Sequence, residues 1–164
     1  MGTERGRCGG AAGGPLISDA AEGDVAELRV MFREYAAWIG DGCFWVNDFE
    51  DELAALPGWF HALLIARNDA GELIGSAAIK RLPDGTAELK RLYVRPSARG
   101  TGLGRMLATA AIKRARELGY TVIRLDTLPK MEAARGIYAS LGFEPCEPFV
   151  DNPIPGVLFF ELEL

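Results

Sequence analysis

Apolar and polar positions along this 164-residue chain fall into alternating blocks of helical and strand period. Over residues 24–39, Val25, Leu28, Phe32, Tyr35, Ala36 and Ile39 recur every three or four positions. That spacing predicts a helix with one apolar face, ended by Gly40 and Gly42. Leu16 and Ile17 ahead of it suffice for a short edge strand. Residues 47–56 read as a short acidic helix stopped by Pro57-Gly58. Its Asp48, Glu50, Asp51 and Glu52 come early, where the helix dipole favours negative charge. Three strand-like segments follow, at 60–67, 73–82 and 86–95. They are separated by Asn68-Asp69-Ala70-Gly71 and Pro83-Asp84-Gly85, both turn compositions. The third strand breaks its own alternation, because Leu89 and then Leu92, Tyr93 and Val94 cannot all face one side at period two. A slip of that kind predicts a β-bulge that splays the strand from its neighbour.

The second half is strand and helix in turn. Residues 102–118 predict a long helix with a broad apolar face of Leu103, Met106, Leu107, Ala110, Ala111, Ala115 and Leu118, capped by Gly119. Arg114 falls inside that arc without an evident reason. Residues 120–127 are a β-branched strand, so strand, helix and strand form a right-handed parallel crossover. Residues 130–141 predict a further helix on Ala133, Ala134, Ile137, Tyr138 and Leu141, and residues 156–164 an alternating final strand. The element order predicts one α/β domain over 16–164, preceded by a glycine-rich, flexible tail at 1–15.

Charge sharpens this picture. The chain carries a formal net charge of −5, yet residues 89–116 hold Lys90, Arg91, Arg95, Arg99, Arg105, Lys113, Arg114 and Arg116 and no acid. Within that stretch lies Arg99-Gly100-Thr101-Gly102-Leu103-Gly104, which opens the long helix. Glycines let the backbone approach a ligand closely. The first N–H groups of a helix lack partners within it and attract anions. A phosphate-bearing ligand is the expectation. The spacing is not the G-x-G-x-x-G of a dinucleotide fold, and Gly104 is followed by Arg105 and Met106 rather than the Lys-Ser/Thr of a nucleoside-triphosphate loop. The acidic balance argues against nucleic-acid or anionic-membrane partners. Cys8, Cys43 and Cys146 offer neither a disulfide framework nor a metal site, which fits a reducing, cytoplasmic setting. His61 is the only histidine.

Val94-Arg95-Pro96, Arg99-Gly100-x-Gly102-Leu103-Gly104-Arg105 and, further on, Ala134-x-x-x-Tyr138-x-x-Leu141-Gly142-Phe143 together resemble the two signatures of the GCN5-related N-acetyltransferases (GNAT). The resemblance spans about residues 88–143. It implies the GNAT acyl-CoA N-acyltransferase fold, a mixed central sheet with a splayed parallel strand pair and helices on both faces. It also implies acetyl-CoA as cosubstrate with no metal. The backbone of Arg99, Gly100, Thr101, Gly102, Leu103, Gly104 and Arg105 would take the pyrophosphate, and that of Leu92, Tyr93 and Val94 the pantetheine and thioester. Tyr138 would act as general acid. Glu88, eleven residues before Arg99, would act as base, with Asp126 at the end of the next strand as alternative or acceptor contact and Thr127 beside it. The family often has Asn where this chain has Met131. The expected reaction is acetyl transfer to the primary amine of a small, cationic molecule. The acidic, aromatic stretch from Phe44 to Trp59 would wall the acceptor pocket. Protein or peptide N-acetylation and a non-catalytic acyl-CoA sensor are the alternatives. A homodimer is a further partner that the resemblance raises and the sequence does not establish.

Overall fold

The computed structural model describes residues 13–40 and 48–164. The expected tail lies largely outside these, as do Cys8, Cys43, Phe44 and Trp45. Seven strands form one sheet: β1 (Leu16–Asp19), β2 (Ala62–Arg67), β3 (Leu73–Arg81), β4 (Ala87–Val94), β5 (Val122–Thr127), β6 (Glu144–Pro145) and β7 (Leu158–Glu163). Their order is β1-β2-β3-β4-β5-β7-β6. Only β4 and β5 run parallel, and the C-terminal strand inserts beside β5 as its antiparallel partner. The helices are α1 (Val25–Ile39), α2 (Phe49–Ala54), α3 (Leu103–Glu117) and α4 (Glu132–Ser140).

The sheet is covered on both faces, so its inner strands are apolar on both. Leu63 and Ile65 of β2 join α1 and α2 in one core. Leu64 and Ala66, pointing the other way, join α3 and Tyr138 of α4 in a second. Continuous apolar runs are the mark of a sheet buried on two sides.

The α3 face differs from the one its sequence suggests. Met106 and Leu118 are 42% and 36% exposed, whereas Ala108 and Ile112 are buried. The buried stripe runs Leu103, Leu107, Ala108, Ala111, Ile112, Ala115, one position round from the expected arc. Ala108 is fully buried. Arg114 has its reason at the rim of the stripe, where its guanidinium grips Asp19 at 2.6 and 2.9 Å and reaches Glu117 at 3.1 Å.

The slip in β4 is a bulge. Between Ala78↔Lys90 and Ser76↔Tyr93, β3 advances two residues and β4 three. The surplus falls at Arg91, which sits at φ +54°. Beyond Glu88↔Arg124 no further β4–β5 pairs form, although both strands continue. The parallel pair is therefore zipped at its start and open at its carboxyl end.

Helix α3 crosses close over β3 at Gly75. A Cβ there would lie 2.8 Å from Leu107 Cδ1 and 2.9 Å from the Tyr93 carbonyl oxygen. Gly75→Val should destabilise the fold by about 1–3 kcal/mol through overpacking. At about 2–4 °C per kcal/mol for a chain of this size, thermal denaturation followed by circular dichroism should show the midpoint fall by several degrees. An unchanged midpoint would mean that α3 can move aside freely.

Candidate functional site

A cavity of about 430 Å³ opens where β4 and β5 part. The split leaves main-chain groups of β4 without a strand partner, and it brings side chains from both strand ends to one place. Glu88, Asp126, Thr127 and Tyr138 line the cavity, as do Leu92 and Met131. Trp59 and Phe60 wall one side. Residues 150–154, in the connection to β7, wall another.

Glu88 is buried at 2% exposure, not a solvent-facing strand residue. Among the described residues its one ion-pair partner is Lys90, whose ammonium lies 3.2 Å from Oε1 and 4.0 Å from Asp126 Oδ1. Burial raises the Glu88 pKa above the usual carboxylate range; Lys90 opposes that rise and the like charge of Asp126 adds to it. Asp126 is held in place by Asn152, whose Nδ2 donates to Oδ2 at 2.8 Å. Sequence reasoning missed Asn152, because a polar residue in a proline-rich connection gives no local signal.

Tyr138 is buried with its ring edge-on to Phe143, centroids 5.6 Å apart. Burial, followed by the nearby Tyr35 and Asp126, pushes its pKa far up. The phenol stays protonated throughout the physiological range and so keeps a proton to donate.

The glycine loop is built in two ways. Gly100 and Gly102 take φ of +74° and +84°, a left-handed conformation strained for other residues. Gly104 has ordinary φ, but a Cβ there would stand 3.1 Å from Ile137 Cδ1 of α4. The first helical bond is Met106 N–H to the Gly102 carbonyl, 3.1 Å. Among the described residues, the backbone N–H groups of residues 100–105 have no hydrogen-bond partner. Six successive free donors at a helix start make a cradle that fits a pyrophosphate.

The basic run around this cradle is less positive than its sequence suggests. Arg91 is bound bidentately by buried Glu52 at 2.7 and 2.6 Å, and Arg95 by Glu34 at 2.9 Å through both nitrogens. Lys90, Lys113 and Arg114 are likewise paired with acids. Among the described residues Arg99, at the loop, has no carboxylate partner. It donates to the Val94 carbonyl at 3.0 Å and stacks on Trp38 at 4.7 Å. Arg105 bonds Ser140 Oγ. The acids expected to draw in a cation also divide. Glu50 pairs outward with Arg33 and Glu52 is held by Arg91, leaving Asp48 on the cavity wall.

The β4 backbone completes the arrangement. Arg95 N–H donates to the Ile74 carbonyl at 2.9 Å. Successive residues of a strand point their N–H groups to opposite edges. The Val94 N–H therefore faces away from β3, into the gap toward β5. Met131, which stands where the resemblance would place an Asn, both lines the cavity and packs against the α1 core.

The description "Acetyltransferase (GNAT) family" matches residues 25–143. An uncharacterized N-acetyltransferase of Schizosaccharomyces pombe is 36% identical over 146 residues, 86% of this chain and 89% of the relative. An L-methionine sulfoximine/L-methionine sulfone acetyltransferase of Pseudomonas paraeruginosa is 32% identical over 141 residues, 79% and 81% of the two chains. In fold, the chain is similar to a GNAT superfamily phosphinothricin acetyltransferase from Sinorhizobium meliloti solved in complex with acetyl-CoA. That likeness has a TM-score of 0.74 at 20% identity and covers 92% of this chain and 88% of the other. With the opened strand pair and the glycine cradle at its end, these matches make the chain a member of the acetyltransferase (GNAT) family and an acetyl-CoA-dependent N-acetyltransferase.

Proposed function

We propose that the protein transfers acetyl to the primary amine of a small molecule that arrives as an ammonium ion, by direct attack within the cavity between β4 and β5. The observation that carries this reading is the pairing of two groups across one cavity. Glu88 is a buried carboxylate made more basic than usual, and Tyr138 is a phenol kept firmly protonated. A base and an acid pushed apart in this way suit a reaction that removes one proton and supplies another. The cavity lining holds five acids against three cations, which favours a positively charged acceptor.

Acetyl-CoA brings the acetyl group already activated as a thioester. The free N–H groups of residues 100–105 would hold its pyrophosphate. The main chain of Leu92, Tyr93 and Val94 would hold the pantetheine arm, with the Val94 N–H donating to the thioester carbonyl oxygen. A preformed donor there stabilises the negative charge that develops during attack. Glu88, directly or through a water, takes a proton from the ammonium so that the neutral amine can attack. Tyr138 gives its proton to the departing thiolate and is restored by the second proton, which the attacking nitrogen sheds as it becomes an amide. Asp126, fixed by Asn152, orients the amine from the other strand. The cavity's enclosure by Trp59, Phe60 and residues 150–154 fits a small acceptor better than a polypeptide chain.

Three substitutions test this, read by release of free CoA thiol from acetyl-CoA with a panel of primary amines. Glu88→Gln should lower kcat by about 10²–10⁴-fold. In the native enzyme the rate should fall as pH drops through the raised Glu88 pKa, because the base is then protonated. The variant should lack that acid limb, and an identical pH profile would clear Glu88 of the base role. Tyr138→Phe should lower kcat while the Kd for acetyl-CoA stays within a few-fold; a native rate would reduce Tyr138 to packing. Gly102→Asp places a charge and a strained φ in the cradle and should abolish acetyl-CoA binding by calorimetry. Undiminished affinity would mean the pyrophosphate lies elsewhere.

A further inference from the structure

Three cationic side chains reach the cavity: Lys80, Lys90 and Arg91. Two are already committed. Lys90 lies between Glu88 and Asp126, and Arg91 is locked to Glu52. Lys80 is different. Among the described residues no carboxylate lies within ion-pair distance of it, and its ammonium stands 5.9 Å from the ring centroid of Trp59. It is half-buried. A lysine with no other task would normally extend its ammonium fully into water; here that group stands over an aromatic wall of the reaction cavity.

Its position on the sheet fixes what it faces. Lys80 and Glu88 are directly opposed across the antiparallel β3–β4 ladder. Opposed residues project from the same face with Cβ atoms about 4.5–5.5 Å apart. Lys80 is close enough for its charge to favour the ionised form of Glu88. The cavity floor therefore presents, side by side, the carboxylate proposed above to meet the acceptor amine and an ammonium that is in no ion pair among the described residues. That is the charge pattern complementary to a zwitterion whose two charged groups sit a few ångströms apart.

We propose that the acceptor is a small α-amino acid, with its amine at Glu88 and its carboxylate on Lys80. This rests on the acetyl-transfer reading above and narrows it. A charge-assisted hydrogen bond from lysine to a carboxylate in a partly enclosed site is of the strong class. Its loss should be felt in acceptor binding rather than in the chemical step. Trp59 then acts as the wall that keeps the lysine stem from folding away.

The experiment uses the full chain, acetyl-CoA and thiol release. Acceptors are the proteinogenic L-amino acids and L-methionine sulfone, each paired with its carboxamide, together with putrescine and spermidine as amines without an acid. At least one amino acid should be acetylated with kcat/KM about tenfold or more above its amide. Lys80→Met should lower kcat/KM for that amino acid by about 10- to 100-fold, chiefly through KM, and bring the acid-to-amide ratio toward one. Lys80→Arg should keep most of the ratio. The comparison of acid with amide needs only the native enzyme, so it stands even if a variant folds poorly. Amides that serve as well as acids would overturn the proposal. So would a Lys80→Met variant that loses acid and amide equally, since Lys80 would then act only on Glu88 or on packing. Acetylation confined to putrescine and spermidine would leave the transferase reading intact and remove the carboxylate pocket. No release with any amine, in a protein that binds acetyl-CoA, would remove the small-acceptor reading and this inference with it.

Discussion

Everything the site does depends on one local distortion, the surplus residue in β4 at Arg91. A non-glycine residue at φ +54° is strained, and the surroundings must hold it there. They do so from two sides. Ser76 Oγ, fully buried on β3, donates to the Arg91 carbonyl at 2.8 Å, and the Arg91 guanidinium is clamped bidentately by Glu52 of α2. Breaking such a buried pair by removing one partner typically costs about 3–5 kcal/mol. Glu52, which looks in the sequence like one more acid on a solvated helix, is thereby a structural pin. It fixes α2 to the sheet and holds the strand edge in the shape that parts it from β5.

The parting then sorts the residues downstream of it by role. Before the bulge, Glu88 still belongs to a paired strand and is buried among side chains, which raises its pKa. After the bulge, Val94 turns its N–H into an opening with no strand to receive it. The chain leaves β4 through Pro96 and enters α3 through residues whose N–H groups are equally free. A single irregularity thus separates a buried carboxylate from a run of unpaired main-chain donors, only a few residues apart in sequence.

Much of this is legible in the sequence where a local rule carries it. The slip of Leu92, Tyr93 and Val94 against period two located the bulge, and the glycine spacing located the cradle. The order of strand and helix gave the parallel crossover. What was not legible depends on the partners that folding supplies. Eight basic residues in a row of twenty-eight suggest a positive field, but Glu34, Glu52, Asp19 and Glu117 neutralise several of them from elsewhere in the chain. The α3 stripe is displaced because alanines look interchangeable in sequence, and only the packing of the folded chain decides that Ala108 is inside while Met106 is not. Glu88 was identified by position, but its burial is a tertiary fact, as is the hold of Asn152 on Asp126.

Gly104 carries a consequence for ligand length. Without a side chain there, the start of α3 comes within van der Waals reach of Ile137 on α4, and Arg105 bonds Ser140 on the same helix. The neighbour of Ile137 is Tyr138. The glycine cradle and the buried phenol, proposed above to serve the two ends of the cosubstrate, are thus fastened to each other by helical contacts rather than through a loop. The protein behaves as a caliper with one jaw at residues 100–105 and the other at Tyr138. On the proposed roles, a thioester on an arm of the matching length would be presented to the phenol, while a shorter or longer carrier anchored at the same jaw would be held out of register.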